Sequence, residues 1–311
     1  MALADNRFRR LLTAAATVGF LASAVAWSHP WLPWWAELFM HLTLLHALAL
    51  AVVGACLALM CAWRWVVACG LLAVLHLMPT LNWLPPRRPT GPAQVRVLVA
   101  NVLTSNPQYD LLLGLIEREQ PDVIALVEVD DHWLAALRPL DATYPYRVVE
   151  TRDDNFGVAL FSRRPLIAQT IVHPGAFALP VIDVRLGGDC PLRLVVAHPP
   201  PPISGVYAEV RNAMLVELAS RVAGDPRAVL VGDLNCTPWA APFRRLLRDG
   251  RLRDSRFGIG QQASWPTAFG AFGIPIDHVL IGDALSVSGR ALGEAIGSDH
   301  RPIVVGLRTK D

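Results

Sequence analysis

Three apolar runs crowd the first quarter of the chain, and no other feature constrains its folding as strongly. Leu11 to Trp27 carries no charged side chain, Leu38 to Trp63 is a second such run, and Trp65 to Trp83 is a third, interrupted only by Pro79. A bilayer crossing needs about 20 apolar residues, with about 17 to 25 as the working range. The pattern therefore predicts a membrane region over residues 1–84 with three transmembrane helices at about 11–27, 38–63 and 65–83. Trp31, Trp34, Trp35, Trp63, Trp65 and Trp83 fall at the ends of the runs, where an aromatic belt would put them. His41, His46 and His76 lie within the runs, and with no carboxylate expected beside them they read as helix-packing or interfacial residues.

The arginines set an orientation. Arg7, Arg9 and Arg10 precede the first run, the connection Ser28 to Glu37 has neither Lys nor Arg, and Arg64 occupies the turn between the second and third runs. Positive charge stays cytoplasmic, so everything beyond Pro85 is expected on the outer side; Arg87 and Arg88 work against that tendency. Ala24-Val25-Ala26 also resembles a signal-peptidase site, but loss of the first run would leave two crossings and the same final side.

Pro85, Pro86, Pro89, Gly91 and Pro92 form a stiff linker over 85–93, and the pattern then changes to that of a water-soluble α/β domain over 94–311. This half is close to neutral, and Lys310 is the only lysine of the chain, so no polyanion-coating role is expected. The five cysteines form no CxxC pair and no zinc spacing, and Cys190 and Cys236 are not expected to pair. Short Val/Ile/Leu-rich runs predict strands at 95–100, 122–127, 157–162, 192–198, 228–232, 276–281 and 302–307, with others near 145–150, 167–172 and 180–186. Helical stretches fall at 108–119, 130–138, 205–223 and 239–248. Paired strands between helices suggest two packed sheets covered by helices rather than a simple alternating βαβ fold.

Polar residues recur where the apolar strands stop. Asn101 ends the first, Glu128 follows Asp122-Val-Ile-Ala-Leu-Val127, and His198 follows Leu194-Val-Val-Ala197. Gly232-Asp233-Leu234-Asn235 follows Val229-Leu-Val231, Asp277-His278 opens another strand, and Ser298-Asp299-His300-Arg301-Pro302 precedes the last. Singly, each reads as a turn or cap residue. Together they would form a polar cleft rich in oxygen ligands.

In this order, with Phe156-Gly-Val-Ala-Leu-Phe-Ser-Arg-Arg-Pro-Leu166 between them, these motifs resemble the endonuclease/exonuclease/phosphatase superfamily over about residues 94–308. Gly-Asp-x-Asn followed by Ser-Asp-His is the specific part of the likeness; Val127 stands where the family usually has Gln before its metal-binding Glu. The resemblance implies an α/β (α+β) four-layer αββα sandwich, preceded here by the helical membrane region, as in a bacterial membrane-anchored subset with three such segments. It implies a multi-pass protein of the bacterial inner membrane with the catalytic domain periplasmic or extracellular.

The resemblance also implies a divalent-metal-dependent phosphodiesterase or phosphatase. Its metal ligands would be Glu128, Asn101 and Asp299, an oxygen set suited to Mg²⁺, with Mn²⁺ as a substitute. Asp233 would act as general base, Asn235 as an amide donor, Asp277 would fix His300, and His300 and His198 would bind the phosphate; the Asp277–His300 pair is the other option for the base. Expected partners are a phosphoester substrate, either nucleic acid or a phospholipid headgroup, and the bilayer; no protein partner is inferable. The Arg-rich stretch Arg244 to Arg256, broken by Asp249 and Asp254, reads as a solvated face rather than a phosphate-tracking surface, and Trp239, Trp265 and Phe269 could line a pocket. The competing reading is a catalytically silent binding or scaffolding module of the same fold.

Overall fold

The computed structural model describes residues 2–83 and 91–310, so the linker expected at 85–93 lies mostly outside the described residues. Its N-terminal part comprises α1 (Ala2–Trp27), α2 (Trp35–His41), α3 (Thr43–Leu59) and α4 (Trp63–Leu77). Two stretches, Asn6–Trp27 and Trp63–Leu81, are long and apolar enough to cross a membrane, and α2 with α3 makes a third if the pair counts as one span. The second apolar run is thus not one straight helix: it breaks by 66° at Leu42, next to the point where polar contacts hold α2 against the rest of the chain.

Small residues let the helices approach. Ala16, Leu50, Leu57, Cys69 and Ala73 pack together, and His76 ties three helices by bonding Thr43 Oγ1 through Nδ1 (2.8 Å) and Ser23 Oγ through Nε2 (2.9 Å). His76 is therefore a packing residue. His41 departs from expectation, because Glu37 one turn earlier puts a carboxylate oxygen 3.4 Å from its Nε2.

The remaining described elements are twelve strands with four α-helices interposed. They are β1 (Val95–Asn101), α5 (Tyr109–Glu119), β2 (Val123–Val127), α6 (Asp131–Ala136), β3 (Tyr146–Glu150), β4 (Val158–Ser162), β5 (Leu166–Val172), β6 (Val181–Leu186), β7 (Leu192–Ala197), α7 (Gly205–Val222), β8 (Ala228–Asp233), α8 (Ala241–Gly250), β9 (Arg253–Asp254), β10 (Asp277–Ile281), β11 (Leu285–Leu292) and β12 (Ile303–Thr309). They build two six-stranded sheets, ordered β11-β12-β1-β2-β4-β3 and β5-β6-β7-β8-β10-β9.

Period-two alternation explains the layering. Val95, Val97 and Val99 of β1 meet Val229 and Val231 of β8 and Val279 of β10 in the core between the sheets. Residues of opposite phase, such as Leu98 and Ile124, pack under α5 and α6, while Val195 and Leu230 pack under α7 and α8. The result is the expected four-layer αββα sandwich. Strand β11 was not foreseen, because Ser286, Ser288 and Gly289 dilute its apolar pattern and a register shift between Val287 and Gly289 breaks the period.

Caps place the loops that matter. Ser204 Oγ accepts from Tyr207 N–H to start α7 directly after four prolines, and Asp130 caps α6 by accepting from Trp133 N–H at 2.8 Å. Gly232 is required beside Asp233: its φ is +134°, and a Cβ there would stand 2.0 Å from the carbonyl oxygen of Ala197 on β7. All five cysteines are free thiols. The Arg-rich stretch closes largely on its own acids, with Arg245 and Arg248 on Asp249 and a buried Arg256–Asp254 pair.

Candidate active site

Strand phase delivers most of the site. In β1, β7, β8 and β10 the side chains facing the inter-sheet core are Val97 and Val99, Leu194 and Val196, Val229 and Val231, and Val279 and Ile281. Continuing each alternation by one step brings Asn101, His198, Asp233 and Asp277 to the same inner face. β1 and β2 run parallel, as do β7 and β8, while β10 runs antiparallel to β8 with Asp277 opposite Asp233. These polar ends therefore converge at one edge of the sandwich.

Glu128 is out of phase, following inward-facing Val127, and the chain corrects this with a left-handed residue: Glu128 has φ +62°. Such a backbone costs about 1 kcal/mol or more in a residue with a Cβ, and here it brings the carboxylate against Asn101. Asn101 Nδ2 donates to Glu128 Oε1 at 2.7 Å and to Asp233 Oδ2 at 3.2 Å. Its oxygen accepts from Leu103 N–H at 3.0 Å, which sets the amide orientation. In this arrangement Asn101 presents an N–H, not an oxygen, to the two carboxylates. Thr104 secures Glu128 from behind, its hydroxyl donating to the Glu128 carbonyl at 3.1 Å.

Asp233 is the hub. Its Oδ2 lies 3.6 Å from Nε2 of both His300 and His198, and its Oδ1 accepts from Asn235 N–H at 2.8 Å. Asn235, itself at φ +48°, donates its amide to the Pro199 carbonyl at 2.9 Å with His198 Nε2 at 3.3 Å. His300 Nδ1 bonds Asp277 Oδ2 at 2.8 Å, which aims Nε2 at Asp233. Asp299 stands further out: its half-exposed carboxylate accepts from Trp265 Nε1 at 2.9 Å and comes 4.0 Å from His300 Nε2.

Burial alone would lower His300, but the carboxylates of Asp277 and Asp233 outweigh it and hold its pKa at about 10. His198 is raised in the same way, Asp233 and Glu128 overcoming its burial. Burial would raise Asp233, yet the two histidines and the Asn235 N–H keep it below the ordinary carboxylate range. The site thus holds an array of carboxylate, imidazolium and carboxylate.

A pocket of about 530 Å³ opens over these groups and is lined by Glu128, His198, Asp233, Asn235, Asp299 and His300 among others. Asp277 is tucked beneath, behind His300. The donor set fits a hard divalent cation: Glu128, Asp233 and Asp299 bring carboxylates to a pocket whose lining, among the described residues, contains no Lys or Arg. Ligand atoms of Asp233, Asp277 and His300 also lie within 4.8 Å of one another, a spacing that could hold an ion. However, His300 Nδ1 already bonds Asp277 and its Nε2 faces Asp233, so the Glu128 side is the better seat.

Several lining residues carried no sequence signal of their own. Phe156 stacks obliquely on His198 at 5.2 Å, and Leu38 and His41 of α2 reach the same pocket. Trp265 also lines it, whereas Trp239 is buried against Ala26 and Met40, and Phe269 is exposed outside the lining. Behind Asn235 stands Arg211, fully buried, donating to the Asn235 carbonyl at 2.9 Å and to Glu37 Oε2 at 2.7 Å. That contact joins residues too far apart in sequence for any local pattern to mark it.

Solved structures share this architecture. An endonuclease/exonuclease/phosphatase from Beutenbergia cavernae aligns at 20% identity over 70% of this chain and 72% of its own, with a TM-score of 0.58. D. rerio TDP2, solved with a single-strand DNA product, aligns at 15% identity over 69% of this chain and 99% of its own, with a TM-score of 0.56. The human Nocturnin catalytic domain with bound sulfate aligns at 18% identity over 70% and 94%, with a TM-score of 0.57. No curated protein matches the sequence. The Endonuclease/Exonuclease/phosphatase family signature matches residues 98–300, from the middle of β1 to His300. Because that match runs over more than half of the sequence and takes in every strand-end residue that meets at the pocket, the chain belongs to the endonuclease/exonuclease/phosphatase family.

Proposed function

We propose that the protein is a membrane-anchored, divalent-metal-dependent hydrolase of phosphoester bonds. The observation that carries this reading is the meeting of four side chains at one pocket, Asn101 lying 2.7 Å from Glu128 and 3.2 Å from Asp233, and Asp233 lying 3.6 Å from His300. Relatives by fold include one solved with a DNA product and one with a sulfate anion, both consistent with a phosphate-binding pocket.

Mg²⁺ is the proposed ion, with Mn²⁺ able to replace it. Glu128 would hold it, with Asp299 as a second carboxylate; Asn101 offers an oxygen only by exchanging the ends of its amide. When bound, such a cation neutralises charge on the phosphoryl oxygens and makes water more acidic. Asp233 takes the proton of the attacking water, since His300 already carries its own. Asn235 steadies that water or a phosphoryl oxygen. Asp277 holds His300 so that Nε2–H donates to the phosphate, and His198 donates from the other side.

The test is hydrolysis of bis-p-nitrophenyl phosphate by the full chain in detergent. Turnover is expected with Mg²⁺ or Mn²⁺ and is abolished by EDTA. Glu128→Gln is expected to raise the Mg²⁺ concentration for half-maximal rate by about tenfold or more, since losing a carboxylate weakens the ion first. Absence of metal-dependent turnover would overturn the reading.

For placement, α1, α3 and α4 are proposed to cross the bilayer as the membrane region 1–84, with Arg7, Arg9, Arg10 and Arg64 cytoplasmic and the catalytic domain 94–311 periplasmic or extracellular. Alkaline phosphatase fused after residue 90 is expected to be active. Fluorescence there from a reporter that matures only in the cytoplasm would refute it.

A further inference from the structure

We infer that the substrate is an amphiphilic phosphoester taken from the same bilayer that holds α1, α3 and α4. This deepens the hydrolase reading above and rests on it. The first observation is where the pocket sits. Its wall includes Leu38 and His41 of α2, and only Leu42 separates His41 from the start of α3. Two residues of chain span at most about 7 Å, so the backbone of a pocket-lining residue stands within that distance of the point where an apolar helix begins.

The position is fixed by polar contacts rather than by loose packing. Glu37 pairs with buried Arg211 at 2.7 Å, His41 Nδ1 bonds Thr237 Oγ1 at 2.8 Å, and His29 Nε2 accepts from Ala241 N–H at 2.9 Å. Thr237 and Ala241 lie in the stretch that follows Asp233 and starts α8. Met40 and Ala26 close the joint against Trp239. The N-terminal helices and the catalytic loop thus share one interface.

The second observation is the chemistry of the wall. Leu38, Phe156, Ile203, Tyr207, Trp265 and Ile276 line the pocket, and among the described residues no Lys or Arg does. Nucleic-acid binding draws most of its affinity from cations that track successive phosphates. This pocket offers histidines for one phosphate and apolar surface for whatever is attached to it.

The third observation is exposed apolar surface beside the pocket. Ile203 lines the pocket yet is 69% exposed, and Val206 next to it is 60% exposed. Gly205 between them abuts the Trp34 indole, 3.3 Å from where a Cβ would stand. Trp31 and Trp35 of the same connection are also exposed, and tryptophans of this kind settle at the membrane–water boundary. Exposed apolar surface on the same segment as a pocket-lining residue suits an alkyl chain that enters behind its phosphate. In the reaction, the oxygen of water bonds to phosphorus, the bond from phosphorus to the leaving oxygen breaks, and the leaving oxygen departs as the anion or takes a proton.

The test uses p-nitrophenyl alkyl phosphates with methyl, octyl and hexadecyl chains and the full chain reconstituted in vesicles of a phosphorus-free lipid, digalactosyl diacylglycerol. Release of p-nitrophenolate with Mg²⁺ reports each rate. The expected result is a rise in kcat/KM of at least about 100-fold from methyl to hexadecyl, since each buried methylene favours binding of the chain. Leu38→Asp and Ile203→Asp are expected to cost the hexadecyl ester at least about tenfold more than the methyl ester. Both esters are read on the same protein, so a folding defect lowers them together and leaves that ratio alone. A flat series, or a single-stranded oligonucleotide cleaved faster than the hexadecyl ester, overturns the inference while the hydrolase reading stands. No turnover of any ester overturns both.

Discussion

Replacing Asp233 with Asn is expected to lower kcat by about 10²- to 10⁴-fold while leaving KM nearly unchanged. The reason lies in how the carboxylate is surrounded. Its Oδ1 is occupied by Asn235 N–H, and its Oδ2 faces Asn101 Nδ2 and the Nε2 atoms of His198 and His300. Asn would keep the first contact through its oxygen, but it would turn an NH₂ toward the Asn101 amide and lose the charge that raises the pKa of both histidines. The variant thus loses its base and weakens its phosphate donors together, both of which act most strongly as charge develops at phosphorus. Steady-state kinetics on bis-p-nitrophenyl phosphate read the effect. A variant with near-normal kcat would remove Asp233 from the chemistry and, with it, the assignment of the pocket.

Glu37→Leu is expected to destabilise the fold by about 3–5 kcal/mol, because it strands the Arg211 guanidinium without its counter-charge in a fully buried position. For a chain of 311 residues that corresponds to a fall in Tm of roughly 5–8 °C, readable from tryptophan fluorescence of the full chain in detergent. The double variant Glu37→Leu with Arg211→Met should regain most of the loss, since two apolar groups of similar volume satisfy the same space. A single variant melting within about 2 °C of the parent would mean that the pair does not join the two halves of the chain. Activity should fall alongside stability, because Arg211 also holds the Asn235 carbonyl.

How far each feature could be read in advance follows from the range of the physics behind it. Val95 to Asn101 and Val229 to Asp233 announce themselves as strands that end in a polar residue, because alternation is a property of neighbouring side chains. Strand β11 hid, since Ser286, Ser288 and Gly289 fill out a sheet edge and bury little apolar surface of their own. The apolar runs marked helices long enough for a bilayer, but the bend at Leu42 answers to contacts made by Glu37 and His41 with Arg211 and Thr237.

The sequence by itself determined which residues could carry the chemistry: the strand phase of Asn101, His198, Asp233 and Asp277, and the motif order that links them to Glu128 and His300. Tertiary structure alone decided what they do to one another. Sheet order set Asp277 opposite Asp233, a left-handed backbone at Glu128 rescued a carboxylate from the wrong face, and the register of the final loop put His300 between two acids. It also decided that Leu38, from an apolar run at the other end of the chain, walls the catalytic pocket. The physical reason is that hydrophobic periodicity is a short-range signal written in adjacent residues. A pairing such as Glu37 with Arg211 or Asp277 with His300 gains its energy only after the sheets have packed and excluded water around it.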